Sequence, residues 1–261
     1  MVDKDMSLNC QVITINDMNS DKELRTLSKR AFIKLCQSSK DVDNHGINPE
    51  IFSATYPEQV PELMARFKLT WNYPWQGTET DLHTGLKKSA YPTTNKNNRI
   101  ACALSHYRLW AQCVHSNEPM LIMEHDAYFT DRLKGYYAIL DDNRWDIIGI
   151  NEPRGNTRKA QVFHQKVYEA VDPEHSEASY VNDKIDIVPV PTIDSFDIPQ
   201  GLAGNSAYII KPNGAANLLL AVNKYGLWPN DAIMCKQLIP RMGVTKYHFT
   251  DTQKLWSTTS Q

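Results

Sequence analysis

The sequence predicts an α/β fold with a mainly parallel central sheet. Short apolar, β-rich runs recur at 11–15, 120–123, 145–150, 206–210 and 244–249. Between several of them lie segments whose apolar residues return every three or four positions, the spacing of one helix face. Strand and helix signals therefore alternate, and such alternation lays helices against the faces of a parallel sheet.

The first strand, 11–15, stops at Asn16-Asp17, and the polar turn through Ser20 hands over to a helix with Leu24, Leu27, Ala31 and Leu35 on its buried face. Residues 40–98 are rich in Pro, Asn, Thr and aromatic residues and have little periodicity apart from a helical stretch at 61–69. That composition suits loops that shape a cleft. Order returns at Ile100, where Ile100, Ala103, Leu104, Tyr107, Ala111 and Val114 mark one helical face. Asn117-Glu118-Pro119 ends this helix before the apolar strand 120–123.

A further helical segment precedes the strand 145–150. Residues 151–199 turn polar and read as an insertion or flap. The strand 206–210 then enters a helix with Pro212 in its first turn, Ala215, Leu218, Leu219 and Val222 on its buried face, and Gly226 at its end. A short helix starts at Asn230-Asp231, and 244–249 reads as a terminal strand. There is no internal repeat, and a chain of 261 residues suits a single domain over 1–261.

The charge balance of 28 basic against 30 acidic residues, net −2, excludes a general attraction for polyanions. A local patch stays open. Between Leu82 and Ala101 stand Lys87, Lys88, Lys96 and Arg99 with Tyr91 and no acidic residue, which suits phosphate contacts, although a run this short is more often a solvated face. No stretch reaches the roughly 18 apolar residues of a membrane span, and the start of the chain lacks a secretory core, so a cytoplasmic protein is expected. Five scattered cysteines without a CxxC pair argue against both a disulfide framework and a zinc-finger spacing, and they read as small buried residues.

In an open α/β sheet, ligands bind beyond the carboxyl ends of the strands. The residues to inspect are Asn16-Asp17, Glu124-His125-Asp126, Asn151-Glu152 and Lys211. Two carboxylates at i and i+2 after a buried strand repel unless a cation neutralises them, and a divalent ion with a diphosphate would do so. Spacing alone leaves a plain helix-capping role equally open.

The segment 100–110, with Ser105-His106 and Trp110, followed by 118–127 with Glu124-His125-Asp126, resembles glycosyltransferase family 25, which includes lipooligosaccharide and collagen galactosyltransferases. Residues 201–220 and Trp228-Pro229-Asn230-Asp231 are similar to later motifs of that family, and Val12-Ile13-Thr14-Ile15-Asn16 with the Ser20-Asp21 turn to its first strand and loop. Two departures stand out. His125 occupies the position of the family's central Asp, and the first-loop Arg has only approximate counterparts in Lys22 and Arg25.

The resemblance implies a nucleotide-sugar-binding fold of the GT-A type, a UDP-sugar donor, and a divalent metal, Mn2+ or Mg2+. It further implies an inverting transfer of a galactose- or glucose-type sugar to a hydroxyl of a glycan such as lipopolysaccharide. Carried onto this chain, Asp231 is the catalytic base, with a helix cap as its plain alternative. Asp126, Glu124 and His248 hold the metal. Asn16, Ser105, His106, Glu124 and Asp126 hold the donor, with His106 alternatively a buried hydrogen-bonding histidine. Trp110 and Trp228 read as core or cleft wall, and 40–98 as the acceptor side. Two other functions stay open: a phage-type transferase placing glucose or arabinose on a hydroxymethylated base of DNA, and a non-catalytic nucleotide-sugar-binding module, the latter motivated by His125.

Overall fold

The computed structural model describes residues 7–154, 159–171 and 185–255. Strand β1 (Leu8–Thr14) is apolar and almost wholly buried. Asp21 caps helix α1 (Lys22–Asp41) by accepting the Leu24 amide at 2.9 Å. Its buried face is Ser28, Ala31, Leu35 and Ser39, so the face is turned from the one the leucines suggested, and Leu27 is 46% exposed.

Strand β2 (Ile47–Ser53) lies in the stretch that periodicity left as loops. It is an edge strand, mostly accessible, and an edge tolerates Pro49 and Glu50, so its sequence carries no apolar signal. Helix α2 (Val60–Arg66) and the hairpin of β3 (Thr78–Thr80) and β4 (Lys87–Ser89) follow.

Helix α3 (Lys96–Ser116) buries Ile100, Ala103 and Leu104 as expected, and also Leu109, Trp110 and Cys113, while Val114 is left 38% exposed. Asn117 ends it in the left-handed conformation at φ 54°. Strand β5 (Met120–Glu124) runs into the short strand β6 (Ala127–Phe129), and α4 (Tyr136–Asp141) leads to β7 (Ile147–Gly149). Next come α5 (Ala160–Glu169), β8 (Ile187–Pro189) and β9 (Ala207–Ile210). Helix α6 (Pro212–Tyr225) opens on proline and closes at Gly226, φ 83°. Then α7 (Asn230–Ile233), β10 (Met242–Thr245) and β11 (Thr250–Thr252) finish the chain. Parts of the expected 151–199 insertion, 155–158 and 172–184, lie outside the described residues.

The central sheet has seven strands in the order β2-β1-β5-β9-β7-β10-β8. β2, β1, β5, β7 and β10 run one way, and β9 and β8 run against them. An α/β fold with a mainly parallel sheet, the class expected of a GT-A-type protein, is therefore what forms. The sheet is covered on both faces, and β5 divides its side chains accordingly. Met120 and Ile122 enter the core under α3 and α6, Leu121 and Met123 the core under α1 and α4. All four are fully buried, each worth roughly 1.5–3 kcal/mol of transfer free energy.

The reversed β9 corrects one expectation. Lys211 follows β9, so it emerges at the opposite end of the sheet from the ends of β1 and β5, where its Nζ donates to the Asp142 carbonyl at 2.6 Å. Asn205-Ser206, which precede β9, come to the other end instead. No described helix is long and apolar enough to cross a membrane, and all five cysteines are free.

Candidate active site

A cleft of about 980 Å³ opens at the ends of β1 and β5, facing the residues before β9 and the start of α7. Of the residues singled out in the sequence, Ser105, His106, Glu124, Asp126 and Asp231 all line it, together with His125.

The acidic turn is held rigidly by backbone hydrogen bonds. The Glu124 amide donates to Ser206 O at 2.8 Å, the His125 amide to Ile13 O at 3.1 Å, and the Gln253 amide to Asp126 O at 2.7 Å. Asp126 Oδ1 is buried with no hydrogen-bond partner. Burial, and then the charge of Glu124, push the Asp126 carboxyl up to about 7. Burial holds the His125 imidazole below its usual pKa, so at neutral pH this side chain adds no charge where the family carries an Asp.

Behind the turn runs a buried relay. Trp110 Nε1 donates to the Tyr208 hydroxyl at 3.0 Å, and that hydroxyl lies 2.9 Å from His106 Nδ1. Indole can only donate, so the Tyr208 hydroxyl accepts from Trp110 and holds the His106 ring by its Nδ1. The other ring nitrogen, Nε2, lies 3.4 Å from Glu124 Oε1. Both ring nitrogens of His106 are thus engaged. The Ser105 hydroxyl is also committed, donating to Ala101 O and accepting the Thr55 amide, both at 2.9 Å, which ties α3 to the loop after β2.

Asp231 is reached by solvent from the cleft, yet protein surrounds it on its other sides. That surrounding mass raises its carboxyl pKa, with Arg99 and a hydrogen bond from Tyr91 acting the other way. Tyr91 stacks on Tyr73 with centroids 5.9 Å apart and lies beneath the Arg99 guanidinium at 4.9 Å. Gly201 lets the opposite wall close on α7, since a Cβ there would stand 2.6 Å from Met234 O and 3.1 Å from Asp231 O. Burial, and then the charges of Glu124 and Asp231, raise the pKa of the Cys102 thiol, which lines the same cleft. Cys102, His106 and Glu124 have ligand atoms within 4.8 Å of one another.

Two singled-out residues stand elsewhere. Asn16 is exposed and accepts the Ser53 hydroxyl at 2.7 Å, and its neighbours Ile15 and Asp17 face the cleft in its stead. His248 groups with Glu152 and His164, away from Glu124 and Asp126. Arg25 serves the first loop indirectly, its Nη1 donating to the carbonyls of Asp17, Met18 and Ser20 at 3.1, 2.9 and 3.2 Å.

Two of the four cations of the basic stretch are taken up by acids, while Arg99 lines the cleft. Lys88 is 1% exposed, with Nζ 3.0 Å from both Asp81 and Glu79 and 5.1 Å over the Trp228 ring, and Lys87 pairs with Asp197 at 2.7 Å. The acids that neutralise these lysines come from outside the 82–101 window, which is why the window looked purely basic.

Sequence reading missed Asn205 and Ser206. Both are over nine-tenths buried and line the cleft, and Asn205 Nδ2 and Oδ1 and Ser206 Oγ have no partner. The polar pair between apolar runs was visible, but its relevance depends on the direction of β9.

A mainly parallel sheet thus ends in an acidic turn over a cleft of about 980 Å³. Residues 12–234 match the family described as glycosyltransferase family 25 (LPS biosynthesis protein), and the chain belongs to that family. Among solved structures, mouse xyloside xylosyltransferase 1 in its apo form is similar at 8% identity and a TM-score of 0.38, over 90% of this chain and 81% of that one. No curated protein gives a match.

Proposed function

We propose that this glycosyltransferase moves a hexose from a UDP-sugar to an acceptor hydroxyl of a glycan such as lipopolysaccharide, with inversion at the anomeric carbon. The observation that carries the reading is the convergence of Asp231 with Glu124 and Asp126 in one cleft. Its volume, about 980 Å³, is of the size that encloses a nucleotide-linked ligand.

In this reading the acceptor oxygen attacks the anomeric carbon, its proton passes to the Asp231 carboxylate, and the bond from that carbon to the diphosphate oxygen breaks to release UDP. A carboxylate whose pKa is raised by its surroundings is the stronger base for that task. Glu124 and Asp126 would hold a divalent ion, and the fit rests on the unpartnered, buried Asp126 Oδ1. Such an ion, when bound, neutralises charge on the leaving diphosphate. His106 orients Glu124, and Asn205 and Ser206 supply the unpaired polar atoms that face the donor.

The test is transfer from a panel of UDP-sugars to lipopolysaccharide fragments, with the product's anomeric configuration read by proton NMR. Asp231→Asn is expected to lower kcat by about 10²–10⁴ with little change in donor KM. Tyr91→Phe, which removes a hydrogen bond from the carboxylate, should move the acidic limb of the pH–rate profile upward. Full activity in Asp231→Asn would remove it as the base, and failure of every UDP-sugar with Mn2+ or Mg2+ present would remove the donor assignment.

A further inference from the structure

Three metal-ligand side chains converge outside the cleft. Glu152 follows β7, His164 lies in the second turn of α5, and His248 sits between β10 and β11. One ligand atom from each lies within 4.8 Å of the other two. The two imidazole rings stand with centroids 5.7 Å apart at 49°. Independently, both ring nitrogens of His248 are buried with no hydrogen-bond partner. Leaving a buried polar group unpaired is costly, and a cation on one nitrogen would recover part of that cost.

We propose that Glu152, His164 and His248 form a binding site for a divalent transition ion of the zinc type, separate from the donor cleft, that fastens α5 to the end of the central sheet. Two imidazoles and a carboxylate are a nitrogen and oxygen set that such ions favour, with a further position left to water. Bonds of about 2.0–2.1 Å place tetrahedral ligands roughly 3.3 Å apart, so the set closes by about 1.5 Å at most, within reach of side-chain rotation.

Glu152 is already forked to Arg154, with Oε1 2.9 Å from Nε and Oε2 2.9 Å from Nη2. A carboxylate has about four acceptor positions, so one oxygen can turn to the ion while Arg154, whose side chain is 51% exposed, keeps the other and orients it.

Two of the ligands stand on a fixed frame. The Glu152 amide donates to Thr250 O at 2.7 Å and the Phe249 amide to Ile150 O at 3.0 Å, locking the end of β7 to the segment that carries His248. His164 is the ligand that docks onto this frame. Its neighbour Phe163 is 2% exposed and lines the donor cleft, so an ion here would set the position of that wall.

The experiment uses the full chain freed of any polyhistidine tag and stripped with chelator, titrated with Co2+ followed by visible absorption and with Zn2+ by calorimetry. In Asp126→Asn, where the cleft ligand is lost, one equivalent should bind with the intense bands of low-coordinate Co2+, and Zn2+ should displace it. His164→Ala and His248→Ala should each weaken binding by at least about 100-fold, beyond what loss of an outer partner costs. His164→Cys should recover Zn2+ binding and add a thiolate-to-cobalt charge-transfer band. Asp126→Asn should leave this binding unchanged, which separates the site from the donor cleft. Absence of stoichiometric binding, wild-type binding in His164→Ala, or loss of the cobalt bands in Asp126→Asn would each overturn the proposal. Should His248→Ala fail to fold, the pair His164→Ala and His164→Cys decides.

Discussion

His106 faces Glu124 across 3.4 Å, and its other ring nitrogen meets the Tyr208 hydroxyl, which Trp110 fixes in turn. A cleft carboxylate is thereby coupled to the deepest part of the core. His106→Phe is expected to lower kcat/KM by about 10–100-fold with most of the loss in donor KM, because Glu124 loses its orienting partner. Trp110→Phe, at the far end of the relay, should cost stability and leave donor KM within about twofold. Steady-state kinetics beside thermal melts would decide, and equal KM effects in the two variants would reduce His106 to a structural role.

Asp126 ties stability to pH. Its native carboxyl takes up a proton at about 7, against 3.8 in its ordinary state, so the unfolded chain releases that proton at lower pH than the native one does. Native stability therefore falls as pH rises from about 4 to about 7, and the cost stands in full above that range. Asp126→Asn removes the cost. The variant should melt with the wild type at pH 4 and be more stable at pH 8 by on the order of 1–2 kcal/mol, a few degrees in Tm, after screening by cleft water. Transfer activity should be lost. A wild type that is the more stable partner at pH 8 without metal would contradict this account.

Asn205 offers both a donor and an acceptor with no protein partner, at 7% exposure. Asn205→Ala is expected to weaken UDP-sugar binding by about 5–150-fold, the equivalent of roughly 1–3 kcal/mol, without lowering the melting temperature. Calorimetry with UDP and with the intact UDP-sugar would show which moiety the amide meets. Unchanged affinity for both would exclude it from the donor site.

Lys88 is buried with its Nζ 3.0 Å from both Asp81 and Glu79. Lys88→Met strands Asp81, which is itself 5% exposed, and is expected to cost about 3–5 kcal/mol. Adding Asp81→Asn should restore much of that loss. Chemical denaturation of the single and double variants measures the coupling, and additive losses would show that the pair is not the source of the effect.

Much of the fold was legible because local chemistry fixes it. The apolar run of β5, the left-handed stop at Asn117, the proline that opens α6 and the glycine that closes it act over a few residues, and each element formed near its expected bounds. β2 was not legible, since a strand paired along one edge and half in water needs no apolar pattern. The face of α3 was read too narrowly because Trp110 and Cys113 bury against elements distant in sequence.

For the site, the sequence by itself determined the acidic turn, the Ser105-His106 pair and Asp231, all of which come to one cleft. Only the tertiary structure decided the rest. The direction of β9 is set by its neighbours in the sheet, not by its own residues, and it brings Asn205-Ser206 to the cleft while sending Lys211 away. Chain crossing likewise decided the partners of two candidates. Lys88 found acids outside its own window, and His248 met Glu152 and His164 in place of Asp126. A sequence fixes what a side chain can do chemically, and packing of distant segments fixes what it meets.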